Sequence, residues 1–420
     1  MQNFGVYSRL SFYLASRNLT RHYAKSLLAV VIGMLTVILL VIYAGNIEST
    51  RNQLLSLPEA MEVTGRISNL EGSQDTGLAI KEKTIDGIIA SEEVTDRVFS
   101  VQLRAGFGEF TPEEWEGNLN YLAAGINDIA AVSGLKQEEI QFLDQEDESV
   151  FGSHEASCVM DAAMMEENGL ELGDEVTLTF FYYRYGDGLS SGHEIFIDPL
   201  VAGKKYRIVG VMDIKEYLGS FVEPGILLPF ENVRDIYHEA GIEFKADAAS
   251  FRVRDPFRLN ECKNDMHDIG LLPVARDAEY QYDGNALTIR DDIFINAAEN
   301  LRETMAILMG MLPFIIVIIV FVGYLCSYLL IQGRKAEYAT MRSVGTGWGY
   351  CFFLLLLEHV LLEILACAAV SLPLLLSGGV SGIVLLFADA VFMLSFIAGS
   401  AGALWSFHSL SVMEVLSAGE

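Results

Sequence analysis

From Ser26 to Ile47 the chain carries no charged residue. An α-helix rises ~1.5 Å per residue, so about 20 apolar residues cross a ~30 Å hydrocarbon layer, and this run suffices. Residues 1–25 precede it, and its apolar core outlasts the h-region of a signal peptide, so it reads as a retained anchor. A long polar segment follows. Three further apolar runs then occupy the C-terminal third. Residues 304–333 hold no charge at all, and from Ser343 to Glu420 the only charges are Glu358, Glu363, Asp389, Glu414 and Glu420. A soluble enzyme does not distribute its apolar residues in this way.

The expected fold class is an α-helical membrane protein with four transmembrane helices and a large mixed α/β extracytoplasmic domain inserted between helices 1 and 2. The expected order is a cytoplasmic N-terminal helix over 1–25, span 26–47, outer domain 48–303 and span 304–332. A cytoplasmic loop or helix over 333–350, spans 351–374 and 381–405, and a cytoplasmic tail over 406–420 complete it. Pro373 and the turn residues 377–379 are expected to separate the last two spans. Orientation follows the positive charges. Arg9, Arg17, Arg21 and Lys25 precede the first span, and Arg334, Lys335 and Arg342 follow the second. Basic residues near span ends stay inside, so both termini are expected in the cytoplasm of a cell (plasma or inner) membrane.

Of 56 acids and 28 bases, 50 and 21 lie in 48–303, giving that segment a charge of about −29. Phosphate backbones need clustered cations, so nucleic acid is excluded as its partner. Met61–Ile67, Glu175–Tyr183, Lys205–Met212, Ile226–Leu228, Ala248–Val253 and Ala286–Ile289 read as strands. Thr76–Ala90, Ala156–Asn168, Pro229–Ala240 and Pro256–Ile269 read as helices. Gly169 is placed to close a helix and Gly173-Asp174 to open a strand. Tyr185–Gly192 reads as an excursion between strands. Asn46–Leu57 reads as a polar helical extension of the first span ending near Pro58, and Ile293–Met311 as a helix running into the second.

No motif supports chemistry by this chain. GxxxxGK[ST], CxxC, HExxH and GxSxG are absent, and Gly106-Phe107-Gly108 lacks the rest of a dinucleotide fingerprint. No catalytic residue, cofactor site or metal site is assigned. Cys158 and Cys262 are the two cysteines outside the spans, and a disulfide between them is left open. An impermeant thiol reagent is expected to reach Cys262, or a cysteine placed near Gly188, but not one at Gly333.

The sequence GRKAEYATMRSVG over 333–345, with Leu356-Leu357-Glu358 beyond it, resembles the cytoplasmic segment of FtsX-like/MacB-like ABC transporter permeases. NGLELGDEV over 168–176, YRIVGV over 206–211 and ILLP over 226–229 are similar to patterns of the MacB-like periplasmic core. Two stretches depart from the family pattern: TGWGY over 346–350 lacks basic residues, and the C-terminal SLSVMEVLS lacks the usual proline and base. The resemblance implies a non-catalytic permease. A separate ABC ATPase binds ATP, docks on Arg334, Lys335, Glu337, Tyr338, Met341, Arg342 and Gly345, and drives motion of the outer domain for export, extraction or peptide resistance. It also implies a second permease chain, identical or not, and contact with membrane lipid. An FtsX-like regulator of cell-wall hydrolases and a ligand-sensing receptor or adaptor are the alternatives. Independently of the resemblance, Tyr338, Met341 and Val344 at i, i+3 and i+6 suggest one apolar stripe on a short helix. An interfacial loop anchored by basic and aromatic residues is the other reading. Glu358, Glu363 and Asp389 are expected to make interhelical hydrogen bonds, with Glu358 in reach of Arg342 or water; proton or substrate contact is the other reading. Gly378, Gly379, Gly382, Gly399 and Gly402 suggest close helix packing.

Overall fold

A computed structural model of the chain describes residues 17, 21, 23–111, 114, 121–185, 195–213, 224–275, 284–332 and 334–406. The excursion over 185–192 (apart from Tyr185), most of 1–25, the tail from 407, Gly188 and Gly333 lie outside these. The described residues form two compact units, one of residues 1–57 with 296–420 and the other of residues 58–295.

In chain order, helix α1 (Tyr23–Ala60) is followed by β1 (Thr64–Asn69), β2 (Ile80–Lys81), α2 (Glu82–Ala90), β3 (Val94–Phe107), β4 (Tyr121–Ile126) and β5 (Ile140–Phe142). Next come β6 (Ser157–Asp161), α3 (Ala162–Asn168), β7 (Glu175–Tyr185), β8 (Ile195–Met212), β9 (Ile226–Pro229) and α4 (Phe230–Glu239). Then follow β10 (Lys245–Ala246), β11 (Ala248–Val253), α5 (Leu259–Asp268), β12 (Leu272–Pro273) and β13 (Asn285–Ile289). Helices α6 (Asp292–Gln332), α7 (Lys335–Ser343), α8 (Trp348–Ser377) and α9 (Gly382–Ser406) complete the chain.

The α/β unit is built on one mixed sheet in the order β12-β13-β1-β11-β3-β4-β9-β6-β8-β5, with β7 pairing both β3 and β8. β4–β9 and β6–β8 are parallel, while β3 runs antiparallel to β4, β7 and β11. The alternation that makes β3 a strand places Phe99, Val101, Leu103 and Ala105 in the core. Ile126, Phe151, Val159, Met212 and Leu227 pack as one cluster. Asp161 caps α3 through the amides of Ala163 and Met164. Gly169, at φ 65°, ends it in the left-handed conformation. The expected helix over 156–168 is therefore corrected: its first third is β6, which pairs with β8 and β9, and only Ala162–Asn168 is helical. The helix expected over 76–90 is confined to Glu82–Ala90.

Cys158 and Cys262 are both buried and unbridged. Burial pushes the Cys262 thiol up to about 11 and raises Cys158 as well. Cys262 therefore cannot serve as the accessible label expected from sequence.

The helical unit contains four helices long and apolar enough to cross a membrane among the described residues: α1, α6, α8 and α9. Val37 and Leu40 of α1, Ile319 of α6, Ala366 of α8, and Ala388 and Phe392 of α9 share one core. Pro373 does not break α8, contrary to the sequence expectation. The helix continues to Ser377 and stops at Gly378, whose φ is 66°. Pro58 likewise lies inside α1, whose last residue is Ala60. A proline removes one donor, a loss that neighbouring helices tolerate in such bundles.

Candidate functional site

The segment singled out in the sequence folds as a nine-residue helix, α7, tied to α8 at its start and closed by its own cap at its end. At its start, Arg334 donates from Nε to Glu337 Oε2 at 3.0 Å and through its guanidinium to both carboxylate oxygens of Glu358 on α8. The Arg334 side chain is 13% exposed and that of Glu358 is 3%. Glu337 also lies 3.9 Å from the Arg21 guanidinium. The partner of Glu358 is thus Arg334, not Arg342. Arg342 donates instead to the Thr346 carbonyl at 3.1 Å.

At the other end, Gly345 N–H reaches Arg342 O at 3.1 Å and Thr346 N–H reaches Met341 O at 3.1 Å. These two bonds close a left-handed stop that requires positive φ, and Gly345 supplies it at 94°. Its placement in the segment is explained by this geometry.

The apolar stripe does not form one exposed face. Tyr338 packs against Ile331, Leu355 and Leu404, and Ala339 is fully buried beside it. Met341 is half-buried, whereas Val344 is 82% exposed. Residues six apart sit about 120° apart around a helix, so the ends of an i, i+3, i+6 series face different ways. Lys335 and Glu337 are half-buried, and the exposed side of α7 carries Thr340 and Ser343 and leads into Val344.

The three acids of α8 and α9 have three different environments. Glu358 is ion-paired. Asp389 on α9 accepts from the Ser371 hydroxyl on α8 at 2.8 Å, the expected interhelical bond. Glu363 is 2% exposed, and neither of its oxygens has a hydrogen-bond partner, which corrects the expectation of such a bond there.

Sequence reasoning missed a cleft of about 1040 Å³ in the helical unit, walled by Ile38 and Val41 of α1 and Val370 and Leu374 of α8. Its rim is polar, with Asn46 and Gln53 on the α1 extension. The change from apolar to polar character near Asn46 was the legible signal. Among the described residues no group of three or more His, Cys, Asp or Glu side chains is arranged to hold a metal.

Residues 24–268 match the MacB-like periplasmic core domain. Two solved structures resemble the chain in part. One is the periplasmic region of MacB from Actinobacillus actinomycetemcomitans, 10% identical, with TM-score 0.31, covering 56% of this chain and 92% of its own. The other is a domain of a protein assigned as a permease from Porphyromonas gingivalis, 14% identical, with TM-score 0.26, covering 54% and 86%. No curated protein sequence matches. The chain belongs to the family defined by the MacB-like periplasmic core domain, a family of ABC-transporter-type permeases.

Proposed function

We propose that this chain is the non-catalytic permease subunit of an ABC transporter of the FtsX/MacB type. The observation that carries this reading is the family match over 24–268, in a chain whose described residues include four helices apolar enough to span a membrane. A separate ATPase binds and hydrolyses ATP in this scheme, and its movement passes through α7 to the bundle and onward to the α/β unit. Four spans are few for a passage, so a second permease chain completes the assembly. The basic residues around Arg21 and Arg334–Arg342 favour an orientation with the N-terminus and α7 in the cytoplasm and residues 48–303 outside.

Orientation is tested with single cysteines at exposed positions in a background lacking the native ones. In intact cells an impermeant maleimide is expected to label Ser73→Cys and to spare Ser343→Cys until the membrane is opened. Labelling of Ser343→Cys in sealed cells would reverse the topology.

Coupling is tested at Val344. Its apolar side chain is exposed and packs on little among the described residues, whereas an apolar side chain at a docked interface is worth about 2 kcal/mol when it anchors. Val344→Asp is expected to weaken capture of the ATPase roughly thirtyfold and to leave thermal unfolding of the permease unchanged. Purified wild-type chain is expected to show no ATP hydrolysis on its own, and hydrolysis is expected only where the separate ATPase co-purifies with it. Unaltered capture of the ATPase by Val344→Asp, with unaltered hydrolysis by the captured ATPase, would move the docking surface away from α7.

A further inference from the structure

His359 and Glu363 lie four residues apart on α8, one above the other on the same helix face. Both are more than nine-tenths buried. His359 Nδ1 is 2.7 Å from the carbonyl of Leu355. A carbonyl only accepts, so Nδ1 carries the hydrogen, and Nε2 of the neutral ring is left with a lone pair. That Nε2 has no partner, and neither has either oxygen of Glu363. The two side chains border a space of about 10 Å³, close to the room one water needs.

Among the described residues the lining of this space offers Glu363 no cation. Ala29 and Gly33 face it from α1, Leu330 and Cys326 from α6, and Phe392 and Phe396 from α9. The titratable groups nearby are the Cys326 thiol and, one turn further along α8, the Cys367 thiol, which also meets Asp389 of α9. Arg334 acts on His359 through space, but its guanidinium is bonded to Glu358 and Glu337. An ionised Glu363 would be an uncompensated charge in an apolar core. Transfer of its proton to His359 would separate charge in the same medium. One arrangement satisfies both residues with neutral groups: a single proton on Glu363, donated toward His359 Nε2 through one water in the space they border.

We propose that His359 and Glu363 form a one-proton binding site inside the helical bundle, with the Glu363 carboxylic acid as the donor and His359 Nε2 as the final acceptor across one bridging water. The ligand is a proton. The site is net neutral when filled and carries one negative charge when empty, so movements of the bundle that admit water to the pair release a proton. This inference does not rest on the ATPase reading, because the site lies wholly within α8 and its packing.

The test is infrared spectroscopy of the full-length chain in lipid nanodiscs at neutral pH, before and after exchange into deuterium oxide. The expected result is a carboxylic-acid carbonyl band that is lost in Glu363→Gln and kept in Asp389→Asn. In His359→Leu the band is expected to persist and shift, because the hydroxyl has lost its acceptor. If Glu363→Gln is not recovered folded, the shift in His359→Leu decides the question alone. An identical band in wild type and Glu363→Gln, or a band unmoved by His359→Leu, would overturn the assignment.

Discussion

Replacing Arg334 with methionine is expected to be among the most damaging single changes in the helical unit, costing about 3–5 kcal/mol of stability. The reason lies in what remains. Glu358 is 3% exposed and takes its hydrogen bonds from the Arg334 guanidinium. Without them a carboxylate stays buried after losing both charge-assisted bonds to Arg334, and the cost exceeds that of one neutral hydrogen bond. Glu337 loses a second contact at the start of α7, so the helix also loosens at its first turn. Adding Glu358→Gln removes the charge itself, and the double variant is expected to recover most of the loss. Arg334→Lys is expected to fall between the two, since an ammonium cannot reach two carboxylates as a planar fork does. Thermal unfolding of the full chain in nanodiscs reads all three. Equal stability of Arg334→Met and the double variant would show that the Glu358 carboxylate left behind carries no charge penalty.

That pair also marks where sequence reading stops. The helices α1 and α6 were legible because uncharged runs of their length have few alternatives. β11 was read to the residue, since AASFRV alternates buried and half-buried positions. β3 carries the same signal at Phe99, Val101, Leu103 and Ala105, and charges at Asp96 and Arg97 concealed it. β4 is buried at five of its six positions, so it has no alternation to read. β6 precedes a methionine- and alanine-rich stretch of strong helix formers and was absorbed into it. Three bases border the segment around α7, and charge alone could not tell which of them meets Glu358. The choice is made by a contact between residues 24 apart in sequence. Nor could helical spacing show that Tyr338 turns onto Leu355 while Val344 stays outside, because that depends on the neighbouring helices.

Gly399→Val is the second large effect, and it separates one glycine from several similar ones. A side chain begun at Gly399 on α9 would run into the backbone of α6, with Tyr324 N at 2.7 Å and the Val320 carbonyl oxygen closer still. The facing Gly323 is close as well, with Phe396 O at 2.9 Å from its own first carbon. Backbone atoms of a packed helix cannot step aside as a side chain can, so α6 and α9 must separate. Separation also breaks the buried Ser327–Ser400 hydroxyl contact of 2.7 Å next to this crossing. Overpacking a core costs about 1–3 kcal/mol, and a clash with main chain belongs at the top of that range. The other glycines named from the sequence behave differently. Gly402 would meet only Tyr324 Cδ2 at 3.7 Å and Gly382 only Leu375 Cδ1 at 3.7 Å, both ordinary contacts. Gly378 meets nothing, its task being the positive φ that ends α8. Gly402→Ala and Gly382→Ala are therefore expected to purify and unfold as wild type does, while Gly399→Val aggregates or unfolds well below it. A Gly399→Val protein with wild-type stability would mean that α6 and α9 do not touch at Gly323, and the close crossing would have to be abandoned.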